Sequence, residues 1–255
     1  MARLFRNKGK YCGEGIDISA VLRDIEKGCL DSGWEKTPVL ESQALGIAAY
    51  VRRVKLPRTK VYISSGMHGD EPAGPLALRQ MVLDNRWPAD VEIWMVPCLN
   101  PTAFPLNQRE NSAGFDLNRD YKNTQQPEIR AHIAWLNHCP EFEFSVLIHE
   151  DWESDGYYLY ELNPDRQVSM ADSVIKAVRT VCPIQSDGVV DDWHASGGII
   201  RPEVDPDERP AWPEAIYLTR TKSRLGYTLE APSDFELRDR VEAHRMALRT
   251  MLGLS

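Results

Sequence analysis

The chain has 255 residues, 42% hydrophobic and 27% charged, the balance of a globular protein with one large core rather than of a disordered or fibrous chain. A net charge of −8 argues against nucleic acid or an anionic membrane as the main partner, and no apolar run approaches the about 18 residues of a membrane-spanning helix. The five cysteines, Cys12, Cys29, Cys98, Cys139 and Cys182, are scattered without a Cys-x-x-Cys, and residues 1–8 lack an apolar signal region, so reduced thiols in the cytoplasm are expected.

Residues 18 to 31 place apolar side chains at helical spacing, with Ser19 as the candidate cap. Residues 46 to 54 alternate as a strand, and 61 to 65 read as a buried one. A helix is predicted over 71 to 84, where Pro72 and Pro75 are tolerated because they fall in the first turn. A strand over 91 to 97 leads to Asn100-Pro101, then to a Gly/Asn/Pro-rich stretch and a helix from 127 to about 139. His132 and His138 fall on that helix and read as surface. Strands follow over 144 to 148, ending at His149, and over 157 to 162, then a helix over 166 to 181.

Residues 183 to 215 are dense in Pro, Gly and Asp and read as long ordered loops; within them Asp191-Asp192-Trp193-His194 reads as either solvated loop or part of a substrate pocket. A strand over 225 to 229 ends at Glu230, and a last helix over 236 to 252 is opened by a capping box, Ser233-Asp234-Phe235-Glu236. Strands alternate with helices, no linker separates halves, and one α/β domain over 1–255 is expected.

Four strand ends carry the chemistry. The first runs through Gly66-Met67 into His68-Gly69-Asp70-Glu71, placing an imidazole and a carboxylate where open α/β sheets put their sites. The second leads to Arg109 and to Gly114-Phe115-Asp116-Leu117-Asn118-Arg119; the third and fourth supply His149 and Glu230. Strands that run parallel end on one rim, so these residues can converge. His68 and Glu71 form a short bite that a distant His149 can close, and neutral His with ionised Glu are ligand types of catalytic zinc.

In this order the motifs resemble the carboxypeptidase A-like zinc metallopeptidase clan, which holds zinc carboxypeptidases, murein peptide amidases and succinylglutamate desuccinylase/aspartoacylase-like deacylases. The resemblance spans residues 60 to 232. It implies a three-layer α/β/α fold with a mixed, largely parallel central sheet. It implies one Zn2+ per chain on His68, Glu71 and His149, with Asp116 accepting the second ring N–H of His68. Arg109 is then the oxyanion donor, Asn118 and Arg119 the clamp for a substrate carboxylate, and Glu230 the general base. The implied reaction is hydrolysis of a peptide-like amide beside a free carboxylate, in a small peptide; the alternative is deacylation of an N-acyl amino acid.

Other readings stay open at this level. His149 could be a core histidine, Asp116 an Asx-turn residue, Arg109 a solvated charge, and Asn118-Arg119 a surface turn. Glu236 rivals Glu230 as the base, but its place in the capping box favours a structural role. Glu150 and Asp151 are either support for His149 or exposed. Tyr217 is the candidate for a substrate-facing tyrosine and is left unassigned. Thr102-Ala103 after Asn100-Pro101 departs from the Asp-Gly usual in the amidases. About one helix follows Glu230, where the deacylases carry a β-rich extension, which favours the peptidase expectation.

Overall fold

The computed structural model describes residues 3–7, 13–42, 45–203 and 205–254. Among these, ten strands join one mixed sheet: β1 (Glu35–Leu40), β2 (Ile47–Arg52), β3 (Thr59–Ser65), β4 (Val91–Val96), β5 (Phe144–Asp151), β6 (Tyr158–Leu162), β7 (Gly188–Val190), β8 (Trp193–Ser196), β9 (Ile199–Ile200) and β10 (Gly226–Pro232). Their order is β1-β2-β4-β3-β5-β10-β6-β9-β8-β7. The central β4, β3, β5 and β10 run parallel, while β1, β2, β6, β7 and β8 pair antiparallel at the two sides. Parallel pairing is therefore concentrated where the site residues emerge.

Strict alternation along the central strands builds two cores. Val61 and Ile63 of β3, Ile93 of β4, Val146 of β5 and Leu229 of β10 face one side. There they meet helices α1 (Ile18–Asp31), α2 (Ala73–Asp84), α4 (Ala171–Val178) and α6 (Leu237–Met251). Tyr62, Trp94, Val96 and Leu147 point the other way, toward α3 (Pro127–Asn137) and α5 (Glu214–Thr221). The expected three-layer α/β/α arrangement is what the chain adopts, and His149 and Glu230 lie on the α3/α5 face, two residues beyond Leu147 and Thr228. Among the described residues no helix is long and apolar enough to cross a membrane. Cys29, Cys98, Cys139 and Cys182 are buried free thiols; Cys12 lies outside the described residues.

Several local expectations give way. The region 183–215 is not all loop: it holds β7, β8 and β9, and the first residues of α5 at its end. Asp191 and Asp192, with φ of 47° and 66°, form the two-residue turn between β7 and β8, a left-handed geometry usually signalled by Asn-Gly. The short α5 starts directly behind Pro213, where the dense prolines hid its eight residues. The polar edge strand β1 also went unread, and the predicted helix over 166–181 contracts to α4.

Asp17, not Ser19, caps α1, accepting from the Ala20 N–H at 2.9 Å. The capping box before α6 does not form, because distant groups take its side chains. Asp234 accepts from Arg3 Nε and the Arg6 N–H, each at 2.8 Å, and the Ser233 hydroxyl turns to Glu150 at 3.4 Å. His132 is a core residue rather than a surface one, while His138 is exposed as expected.

Candidate active site

The loop that follows β3 is held by its backbone before any ligand is considered. Gly66 has φ of 62°, and a Cβ there would lie 2.8 Å from Cys98 Sγ. The N–H groups of Leu99 and Asn100 donate to the carbonyls of Ser65 and Gly66 at 3.1 and 2.8 Å, and Asn100 Nδ2 donates to the Met67 carbonyl at 3.1 Å. The Asn100-Pro101 motif thus shapes the neighbouring loop. Gly69 leaves no room for a side chain, since its Cβ would sit 2.3 Å from the Ala103 carbonyl carbon. This packing delivers His68 and Glu71 to the C-terminal mouth of β3, just ahead of α2.

His149 arrives on β5, and Glu230 lies beside it in register on β10. His68, Glu71 and His149, only 2%, 6% and 4% exposed, bring their ligand atoms within 4.8 Å of one another. Glu71 Oε1 lies 2.5 Å from His68 Nδ1, and Oε2 lies 2.9 Å from His149 Nδ1. Burial opposes ionisation of Glu71, but the two imidazoles beside it hold its carboxyl well below the usual range. The remaining nitrogen of His68, Nε2, is buried 3.4 Å from Asp116 Oδ1. A neutral His68 that offers its Nε2–H to Asp116 turns its Nδ1 lone pair toward Glu71, and two acceptors facing each other are reconciled by a cation. Two imidazoles and one carboxylate also match the donor set of catalytic zinc, so the residues fit such an ion.

Asp116 caps a turn and stands close to His68. Its Oδ1 accepts from the Asn118 N–H at 2.9 Å, capping the short 3₁₀ turn Leu117–Arg119, and the same oxygen faces His68. Oδ2 accepts from Arg109 Nε at 2.9 Å. Burial opposes its ionisation, yet the contact with His68 and the charges of His68 and Arg109 hold it well below the usual carboxylate range. Arg109 is therefore not a loose surface charge, and its Nη1 stands 3.3 Å from His68 Nδ1. Asn118 Oδ1 accepts from the Glu214 N–H at 2.9 Å, which leaves the amide's two N–H donors for the cavity it lines.

Glu230 is half-buried in the cavity wall. Burial pushes its carboxyl well above the usual range; His149 pulls it back, while Glu71, Asp151 and Asp191 push it further up. Asp70 also lines the cavity, and burial and the adjoining Glu71 raise it to about 6. Glu236 is exposed and outside the cavity lining. The cavity, of about 740 Å³, receives His68, Glu71, His149, Arg109, Asn118 and Arg119 together.

Some lining residues were not singled out by the sequence. Arg209 is one such residue and adds a third guanidinium to the cavity; of the segment 191–194, which the sequence left open between loop and pocket, Asp191 and Trp193 line the cavity and Asp192 and His194 do not. Asp191 is tethered by Tyr160, whose hydroxyl donates to Oδ2 at 3.0 Å, and Tyr158 likewise donates to Asp151 at 3.0 Å. Tyr217, the earlier candidate, is outside the lining and donates to Asn137 at 3.5 Å. Glu214, fully buried behind the site, accepts from Tyr62 and Ser64 at 2.7 and 3.0 Å; nothing in its sequence context announces it.

A model of the succinylglutamate desuccinylase/aspartoacylase catalytic domain matches residues 57–135, less than half of the chain. Carboxypeptidase SOL1 of Arabidopsis thaliana is 32% identical over 111 residues, a match covering 32% of this chain and 21% of that relative, so the chain corresponds to about a fifth of its length. Likeness of fold extends over nearly the whole molecule. A crystal structure from Shewanella denitrificans, provisionally named a metallopeptidase, superposes with a TM-score of 0.82 at 22% identity, covering 97% of this chain and 98% of that one. A metallo-carboxypeptidase from Burkholderia cenocepacia gives 0.68 at 14% identity, covering 92% and 67%. Another from Pseudomonas aeruginosa, in complex with (2-guanidinoethylmercapto)succinic acid, gives 0.67 at 17%, covering 94% and 69%. The chain has the fold of the carboxypeptidase A-like zinc metallopeptidase clan, and these matches support its place there.

Proposed function

We propose that this chain is a zinc-dependent hydrolase of the metallocarboxypeptidase or peptide amidase type, cleaving a peptide-like amide next to a free carboxylate in a small peptide. One observation carries the reading: the ligand atoms of His68, Glu71 and His149 lie within 4.8 Å of one another. They border the cavity that also receives Glu230, Arg109, Asn118 and Arg119. When bound there, one zinc per chain supplies Lewis-acid polarisation to carbonyl and water oxygens.

The protein's own groups do the rest. Glu230 takes a proton from the attacking water and returns it to the leaving amine, a role suited to a carboxyl that burial makes more basic than an exposed one. A cation at the adjoining triad favours its ionised form. Arg109, fixed by Asp116 beside His68, offers its guanidinium to negative charge developing on the substrate oxygen. The Asn118 N–H donors and the Arg119 guanidinium receive the substrate carboxylate, with Arg209 as a further cation on the same cavity.

Deacylation of N-acyl amino acids is the second reading, favoured by the match of residues 57–135 to the desuccinylase/aspartoacylase domain. The continuous ten-stranded sheet supports one catalytic domain over 1–255, and the buried free thiols support a reducing compartment such as the cytoplasm. Zinc-replete protein should hold about one zinc per chain and release C-terminal residues from short or cell-wall peptides. Turnover confined to N-succinyl or N-acetyl amino acids in the same panel favours the deacylase, and a protein that takes up no zinc abandons both.

A further inference from the structure

Arg240, on α6, is completely buried, although it belongs to none of the groups so far given a role. A buried guanidinium without a partner costs several kcal/mol, so its surroundings must supply countercharge. They do. Nη1 is hydrogen-bonded to Glu150 Oε2, itself inaccessible, and Nη2 to Glu14 Oε2. Glu150 immediately follows His149. Its other oxygen, Oε1, accepts from the Ala73 N–H at 2.6 Å, and Ala73 opens α2 two residues after Glu71. The N-cap residue Pro72 gives α2 no side-chain cap. The carboxylate of Glu150 therefore serves as that cap from another strand, where the helix end favours negative charge.

One hydrogen bond thus ties the start of α2 to β5, two residues from Glu71 and one from His149. We propose that Arg240 is a positioning residue for the ligand triad: it locks Glu150, and through Glu150 the separation of α2 and β5, at the spacing a metal ion needs. The inference rests on the metal reading above. Glu14 extends the lock to the N-terminal segment, because its other oxygen accepts from Arg6 at 2.7 Å. A role confined to general stability would lower the melting temperature and leave the metal affinity of the folded protein alone; a positioning role moves the affinity itself.

The test is zinc affinity of the metal-free protein, measured by competition with a chromophoric chelator, with circular dichroism to confirm folding. Arg240→Met keeps the side-chain bulk and loses the fork; its zinc dissociation constant is expected to rise about 10–100-fold, the range for groups that orient metal ligands. Arg240→Lys keeps the charge but not the planar two-armed geometry, and is expected to fall between Met and the parent. A folded Arg240→Met protein within threefold of the parent overturns the inference, as do Met and Lys variants weakened equally. If Arg240→Met does not fold, Arg240→Lys decides alone: weakening of threefold or more supports the role, and parental affinity rejects it. A parent that binds no zinc overturns the metal site itself, a different result from a parent and variant that bind equally well.

Discussion

Asp116 illustrates how much one carboxylate can organise. Its two oxygens serve the Asn118 N–H, the Arg109 Nε and the His68 Nε2, so the 3₁₀ turn, the guanidinium and the imidazole share one anchor. The turn-forming reading of this residue holds, and the same carboxylate lies 3.4 Å from His68 Nε2, near enough for the ligand-orienting role proposed for it. In the proposed reaction Glu230 is the general base. Glu230→Gln keeps the shape and removes the proton carrier, so kcat should fall about 10²–10⁴-fold with KM little changed. Steady-state kinetics on the best substrate of the panel would show this, and a variant with parental kcat would remove Glu230 from the mechanism.

At the scale of elements, the β7–β8 hairpin is the feature that the chain's composition concealed. Both turn residues are aspartates in left-handed backbone, a conformation costing a non-glycine residue roughly 1–2 kcal/mol. Asp191 offsets part of this by accepting a hydrogen bond from Tyr160, and it lines the cavity. Asp192 does not line the cavity. Replacing it by glycine, the residue this turn favours at its second position, should stabilise the fold by about 1 kcal/mol and raise the melting temperature by about 2–4 °C. Calorimetry on Asp192→Gly would test it; a lower melting temperature would mean that the aspartate makes a compensating contact. The short α5 is another hidden element with consequences, because its first residue fixes the Asn118 amide.

Across the whole molecule, a buried polar chain runs behind the site through α3, β3 and α5. Tyr121 lies 2.7 Å from His132 Nδ1, Tyr62 lies 2.9 Å from His132 Nε2, and Tyr62 donates to Glu214 at 2.7 Å. One neutral tautomer satisfies it: Tyr121 donates to Nδ1, and Nε2–H donates to the Tyr62 oxygen. Burial accordingly pushes His132 down to about 3. A folded pKa below the unfolded value near 6.5 means that this contribution to stability is present above about pH 6.5 and is lost as pH falls toward 3. Between pH 7 and pH 5 the loss from His132 should be on the order of 2 kcal/mol. Burial also lowers His244 to about 3, so the parent's acid sensitivity has a second source. Urea unfolding at both pH values should show a smaller loss for His132→Gln, and an equal loss would mean that His132 is not held neutral.

The residues of the candidate metal centre could be read because each stands beside a local signal. A buried strand, a glycine turn and a His-x-x-Glu lie within a dozen residues, and His149 and Glu230 each end or extend an apolar strand. Alternation with period two also settles which way those side chains face, so the central strands and most helices were legible. The rest depended on contacts through space. Asp234 left its capping box for Arg3 and Arg6, Glu150 became the cap of a helix that starts 77 residues before it, and His132 turned inward to two tyrosines. A charged or polar side chain looks the same in sequence whether water or a buried counterpart satisfies it. Only the folded arrangement decides which, because the energy that permits its burial comes from groups remote along the chain.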